Sequence, residues 1–260
     1  MNALLCVHAH PDDEALWTGG ILARAADSGA RTAVVTCTAR AGEERVSELE
    51  RSLAILGAGA PRLLGYADSG SGGEIPAGSF CAASPDEAIG RLVAHLREFR
   101  PEVVVTYDAY GTYGHRDHIQ AHRVTLAAVE ASAFGQLYPE AGAPWRVPRL
   151  WFSTYPRERM TDTEHRLRDA GVRIGGDGQP AWRFAGGVPA SDIDVTVDVR
   201  PWLDRKWRAL AEHRTQFARG NGPANLGVAD PALREAILGT EWFQCRGRQP
   251  ASLSASHSSR

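Results

Sequence analysis

The sequence predicts an α/β fold: a three-layer, Rossmann-like sandwich with a mostly parallel sheet and a smaller C-terminal elaboration. Three observations predict it. Apolar β-type runs alternate with helical periodicity four times in about the first 130 residues, the pattern of βαβ units with helices on both faces of a sheet. The runs at residues 4–8 and 103–106 are short and continuously apolar, which suits strands buried on both faces. The two densest clusters of ionisable residues follow those same strands: Ala9-His10-Pro11-Asp12-Asp13-Glu14 after the first, Tyr113-Gly114-His115-Arg116-Asp117-His118 after the fourth. Open α/β sheets place their ligand crevice at such strand ends.

The elements follow in order. After the strand at 4–8, residues 15–28 show helical spacing through Leu16, Ile21, Leu22 and Ala25, and Gly29 supplies a stop. Residues 32–38 form a second β-rich run. Residues 43–56 read as a helix with Val46, Leu49, Leu53 and Leu56 on one face and Gly57 closing it. A short third strand at 62–64 precedes a Gly-, Ser- and Ala-rich stretch at 66–84, which reads as a loop, either ordered over a site or flexible. Residues 85–99 are helical, with Pro85 accommodated in the first turn. The fourth strand at 103–106 leads to a helix at 117–131. Beyond it lie a strand at 149–155, a polar helix at 158–170, a glycine-rich loop or short hairpin at 171–187, an alternating strand at 192–199, an amphipathic helix at 202–216 and a loop at 220–227. No internal repeat or clean linker occurs. One domain is therefore expected over residues 1–248, with 1–135 as the Rossmann-like core, 136–248 as the C-terminal elaboration and 249–260 as a disordered tail.

Composition bounds the function classes. The chain has 260 residues, 43% hydrophobic and 23% charged, with a net charge of −2. That balance offers no electrostatic footprint for nucleic acid. Lys206 is the only lysine, and arginine-rich basic charge with abundant Ala and Gly is the composition expected of a GC-rich bacterial genome. The cysteines Cys6, Cys37, Cys81 and Cys245 are far apart and form no CxxC pair, so neither a cysteine zinc site nor a disulfide framework is expected. The N-terminus lacks the basic segment and apolar core of a signal peptide, and no window has the roughly 18 apolar residues of a membrane span. A soluble, cytoplasmic protein is expected, with a homo-oligomer left open.

Four ionisable groups crowded at one strand end repel one another and lose hydration unless a cation sits among them. Imidazole nitrogen and carboxylate oxygen both suit zinc and its first-row neighbours. Alone, the hexapeptide also reads as a polar loop with an N-cap aspartate; the second cluster shifts the reading to a shared metal site. His10 and Asp13 lie three apart, close enough to grip one ion, and His118 is the best third ligand. Spacing also lets His122 compete with His10. Asp12 then sits beside the ion, placed to take a proton from a metal-activated water, and His115 is free to hold an oxyanion or protonate a leaving amine. Glu14 is left as support for the helix start. His8, His95, His165 and His257 carry no partner motif, while His213 shares a predicted helix with Lys206 and Gln216.

His10-Pro11-Asp12-Asp13-Glu14 with His115-Arg116-Asp117-His118 resembles the LmbE-like (PIG-L) deacetylases, whose hallmarks are an AHPDDE loop and a downstream HxDH. Val34-Val35-Thr36-Cys37-Thr38, Leu64-Gly65-Tyr66-Ala67-Asp68-Ser69-Gly70 and the helix from Lys206 to Gln216 are similar to further family segments. The resemblance implies metal-dependent deacetylation of N-acetylglucosamine-containing small molecules, with His10, Asp13 and His118 as metal ligands and Asp12 as general base. It implies His115 as acid or oxyanion stabiliser, Tyr113 closing over the tetrahedral intermediate, and Asp117 orienting a neighbouring imidazole. Arg45 and Asp68 match positions that hold sugar hydroxyls, against the plainer readings of a helix-face arginine and an Asx turn. Two departures bear on substrate: Arg116 stands where the family commonly has proline, and the loop between Thr38 and Arg45 is shorter than in the mycothiol-pathway deacetylase.

The expected activity is hydrolysis of an N-acetyl group by metal-activated water, with Zn2+ as cofactor and Fe2+ or another divalent ion as alternatives. A mycothiol S-conjugate amidase or an antibiotic-tailoring deacetylase keeps the chemistry and changes the substrate. A non-catalytic Rossmann-like binding module is a distant alternative, because acidic AHPDDE stands where a dinucleotide site needs G-x-G-x-x-G.

Overall fold

The computed structural model describes residues 1–40, 43–169, 186–218, 226 and 230–247. Its strands are β1 (Ala3–His8), β2 (Arg31–Thr36), β3 (Arg62–Leu63), β4 (Val103–Tyr107), β5 (Arg149–Thr154), β6 (Val195–Asp198) and β7 (Thr240–Gly247). The helices among the described residues are α1 (Asp13–Asp27), α2 (Glu44–Leu56), α3 (Pro85–Phe99), α4 (Gly111–Gly114), α5 (Arg116–Ser132), α6 (Arg157–Asp169), α7 (Leu203–Ala211), α8 (Arg214–Ala218) and α9 (Pro231–Leu238). The strands form one sheet in the order β3-β2-β1-β4-β5-β7-β6. β1 pairs in parallel with β2 on one side and β4 on the other, and β7 is antiparallel to both its neighbours. The expected mostly parallel sheet with helices on both faces is what the chain forms.

Side-chain alternation assigns the two faces. Leu4 and Cys6 of β1, with Val103 and Val105 of β4, pack towards α1, α2 and α7. Leu5 and Val7 of β1, with Val104 of β4, pack towards α3 and α5. Both faces being covered is why these strands read as unbroken apolar runs. Gly20 lets α1 approach closely: a Cβ there would lie 2.4 Å from Val199. Because β1 leads into α1 on one face and β4 leads towards α5 on the other, the two loops diverge and open a crevice between adjacent strand ends.

The C-terminal half departs from the sequence expectation. β7 and α9 were not expected, yet β7 lies between β5 and β6 inside the sheet. The single helix expected at 202–216 is two, α7 and α8, broken at residues 212–213. Buried Glu48 explains the break, because its carboxylate accepts both the Thr215 N–H (2.8 Å) and the Thr215 hydroxyl (2.6 Å) and so starts a new helix. The stretch at 66–84 is ordered by an Ala67–Ser79 bridge and a turn of 3₁₀ helix at Phe80–Ala82. Most of the expected loop at 171–187 and of that at 220–227, and the expected tail at 249–260, lie outside the described residues. Among the described residues no helix is long and apolar enough to cross a membrane.

Candidate metal centre

The loop after β1 is held before any ligand is considered. The Cys37 and Thr38 N–H groups extend the sheet past the strand ends by donating to the His8 and Ala9 carbonyls (2.8 and 2.9 Å). Tyr107, at the end of β4, accepts the Ala9 N–H and donates its hydroxyl to Asp13 Oδ2, both at 2.7 Å. The His10 N–H donates to the same oxygen (2.8 Å) and Trp17 Nε1–H to Asp13 Oδ1 (3.2 Å). Asp13 is thereby fixed at the first turn of α1.

His10 Nδ1, Asp13 Oδ2 and His118 Nε2 form a triangle with sides of 3.3, 3.4 and 3.4 Å. Ligands at about 2.1 Å from a tetrahedral ion stand about 3.4 Å apart, so these donors fit a zinc-like ion and leave one position open. Two wider groups, His10/His115/His118 and His10/Asp68/His115/Asp117, also bring ligand atoms within 4.8 Å of one another. His10 decides between them by its two nitrogens. Nε2 faces Asp117 Oδ2 (3.3 Å) and Asp68 Oδ1 (3.6 Å), and a carboxylate there favours the tautomer that would leave Nδ1 available to an ion. Burial opposes a charged His10, but hydrogen bonds to Asp117, Asp13 and Asp68 outweigh it and hold its pKa well above the usual value. Burial likewise opposes a charged Asp13, and His118 and His10 overcome it to hold that carboxyl well below the ordinary range. The site is a His/Asp group that could hold a metal ion.

Asp117 is itself anchored, accepting the Ser69 N–H (2.9 Å) and the Cys81 thiol (3.1 Å). Asp117→Ala is expected to weaken metal affinity by about 10- to 100-fold, the usual effect of losing a carboxylate behind a ligating imidazole. Competition against a chromogenic chelator measures this; wild-type affinity would reject the orienting role.

Asp12 sits at the N-cap of α1 with φ +114°, a conformation that costs a residue with a Cβ on the order of 1–3 kcal/mol. Its N–H donates to Glu14 Oε2 (2.9 Å), and its carboxylate lies 3.9 Å from the Arg45 guanidinium. Burial and the charge of Asp13 push the Asp12 pKa up to about 7, against the pull of Arg45, His213 and His10. Glu14 is fully buried and does more than support a helix start: it also accepts the Ser52 hydroxyl (2.5 Å) and His213 Nε2–H (2.7 Å).

The second cluster enters on a strained turn. Thr112 has φ +63° and ψ −58°, outside the region comfortable for non-glycine residues. Asp108 fixes it: Oδ1 accepts the Tyr110 and Thr112 N–H groups (3.0 and 2.9 Å), and Oδ2 accepts the Thr154 hydroxyl (2.6 Å). A Cβ at Gly111 would stand 2.7 Å from the His118 Cβ, so glycine is required there. The turn brings Tyr113 beside His118 and His115, with ring centroids 4.9 and 6.1 Å apart. His115 caps α5, accepting the Asp117 N–H at Nδ1 (3.2 Å). Its neutral ring therefore carries the proton on Nε2. Burial and the neighbouring His10 and His118 lower its pKa to about 4.

All nine residues singled out in sequence, His10, Asp12, Asp13, Arg45, Asp68, Tyr113, His115, Asp117 and His118, belong to this crevice or its wall. His122 does not compete for the ion; its Nδ1 lies 2.8 Å from the Tyr107 carbonyl and its ring packs on Phe152. Arg116, in place of proline, donates to the Gly73 carbonyl (3.2 Å) and ties the 70–78 loop to α5. Sequence reading passed over Asp108, Tyr107 and Glu48. Asp108 had a signal, an Asp three residues before a Gly at a strand end.

The PIG-L family model, described as GlcNAc-PI de-N-acetylase, matches residues 5–129. The 1D-myo-inositol 2-acetamido-2-deoxy-alpha-D-glucopyranoside deacetylase of Rhodococcus jostii is 43% identical over 92% of this chain and 90% of its own. Its counterpart in Streptomyces avermitilis is 40% identical over 93% and 90%. The N,N'-diacetylchitobiose deacetylase of Pyrococcus horikoshii, at 19% identity, shares the fold with a TM-score of 0.64 over 94% of this chain and 84% of that one. With this identity sustained over nearly the whole length, and with both motif clusters meeting in one crevice, the chain belongs to the PIG-L (LmbE-like) family.

Proposed function

We propose that this protein is a metal-dependent N-deacetylase that hydrolyses the acetamide of an N-acetylglucosaminyl-inositol. The observation that carries the chemistry is the tetrahedral spacing of His10 Nδ1, Asp13 Oδ2 and His118 Nε2, with a basic Asp12 next to them in sequence and space. The inositol-linked sugar is supported by the activity for which relatives at 40–43% identity and about 90% coverage are named. Antibiotic sugars and thiol-conjugate amides are the weaker alternatives, since the deacetylases of antibiotic pathways resemble this chain at about 20% identity, in fold alone.

His10, Asp13 and His118 would hold the ion, zinc being the reading and Fe2+ the alternative. When bound, it polarises the acetamide carbonyl and lowers the pKa of water. Asp12 accepts the proton of the attacking water as its oxygen bonds to the carbonyl carbon. His115 Nε2–H and the Tyr113 hydroxyl face the oxygen that becomes negative. Tyr113 keeps its proton for that task, because burial, with Asp13 and Asp12 nearby, holds its pKa well above the ordinary phenol value. The C–N bond then breaks, a proton passes to the sugar nitrogen, and acetate and a free amine leave. Asp68 and Arg45 are assigned to sugar hydroxyls on the two sides of the crevice.

The test is amine release from N-acetylglucosaminyl-inositol, a mycothiol conjugate and a glycopeptide sugar, using metal-free protein before and after adding zinc or ferrous iron. Metal-restored turnover highest on the inositol substrate is expected. Protein that gains no activity with either ion would reject the proposal.

A further inference from the structure

We propose that the segment from His213 to Gln216, acting through Glu14 and Arg45, is a positioning device for the general base, clamping one peptide plane from both ends. The inference rests on the proposed role of Asp12. The peptide in question joins Pro11 to Asp12. Its carbonyl accepts from Arg45 Nη2 (2.5 Å), and its N–H donates to Glu14 Oε2 (2.9 Å). Neither anchor stands alone. With the Gln216 amide turned so that its oxygen faces the guanidinium, that oxygen lies 2.6–3.1 Å from all three Arg45 nitrogens. The second oxygen of Glu14 takes the Ser52 hydroxyl and His213 Nε2, and Glu14 and His213 are both fully buried. Thr215, between the two, is locked onto Glu48.

The reason for such an apparatus is the backbone of Asp12. A φ of +114° persists in a residue with a Cβ only where the surroundings over-determine it. Rotating the Pro11–Asp12 peptide about its own axis is the smallest movement that relieves this φ. It would re-aim the Asp12 carboxylate while leaving His10 and Asp13, which have their own anchors in Asp117 and Tyr107, in place. Both hydrogen bonds on that peptide oppose the rotation. The break between α7 and α8 gains a purpose here, because it presents His213 to α1 and Gln216 to Arg45 of α2. His213, Gln216 and Glu14 are thus positioning residues that act through Asp12.

Gln216→Ala and His213→Ala are the variants, with kcat, KM, bound metal and thermal midpoint measured for each, alone and combined with Asp12→Asn. Each single variant is expected to lose at least about tenfold in kcat with full metal content; KM should stay within about twofold in His213→Ala, whereas Gln216→Ala, which also frees the sugar-facing Arg45, can raise KM as well. In the Asp12→Asn background neither should cause further loss, since a device that aims a carboxylate has nothing to aim once that carboxylate is gone. Gln216→Ala, at a partly exposed position, keeps the test available if the buried His213→Ala fails to fold. Wild-type kcat in metal-loaded Gln216→Ala, or an equal loss in both backgrounds, overturns the positioning role while leaving Asp12 as base. Wild-type kcat in Asp12→Asn itself overturns both.

Discussion

Asp12→Asn is expected to bind its metal normally and to lose at least about 100-fold in kcat, roughly 2.7 kcal/mol of transition-state stabilisation. The amide keeps the size of the carboxylate and can still face Arg45, but it cannot accept a proton. His10, Asp13 and His118 are untouched, so metal content separates this result from simple loss of the centre. The pH profile supplies the sign. A base works only when deprotonated, so kcat/KM should rise with pH through the Asp12 pKa. In the metal-free protein, burial and the charge of Asp13 put that pKa near 7. A bound cation favours the carboxylate, so the acid limb of the loaded enzyme should lie below pH 7. It should vanish in the variant. An unchanged acid limb in Asp12→Asn would move the base assignment to another group.

The largest expected effect on stability belongs to Lys206→Met. This lysine is 1% exposed and lies 2.6 Å from Glu241 Oε1 on β7. Glu241 also accepts the Gly20 and Ile21 N–H groups of α1, at 2.8 and 2.9 Å. Removing the ammonium leaves a buried carboxylate without its counter-charge, which typically costs about 3–5 kcal/mol. Urea unfolding monitored by far-UV circular dichroism measures it, and a loss below about 1 kcal/mol would show that the pair is not needed for stability. Lys206→Met combined with Glu241→Gln should recover much of the loss, because the remaining side chain no longer buries a charge.

The candidate crevice was legible because its residues are local in sequence. His10 to Glu14 and Tyr113 to His118 each crowd several ionisable groups into one turn, and the apolar runs of β1 and β4 announce the strands that carry them. What was not legible is what folds onto these loops from far away. β7 places Glu241 at an inward position beside Phe243 and Trp242 on the other face, so a charge stands where alternation requires an apolar residue. The strand signal is lost for that reason. Glu14 and His213 are individually unremarkable; only the fold shows that each neutralises the other in the core. Thr112 and Asp12 have positive φ that no residue preference announces; Asp108, four residues back, holds the first, and Glu14 with the more distant Arg45 holds the second.

The insertion of β7 between β5 and β6 has a consequence for how the chain acquires its shape. The hydrogen bonds from Gly20 and Ile21 to Glu241 join residues 221 and 220 positions apart. Closing so long a loop is entropically costly and must come before the contact rewards it. During synthesis, the Gly20 and Ile21 N–H groups of α1 therefore wait for an acceptor more than two hundred positions downstream. Until those arrive, β5 presents an unpaired edge, the kind of surface that chaperones shield and that aggregation exploits.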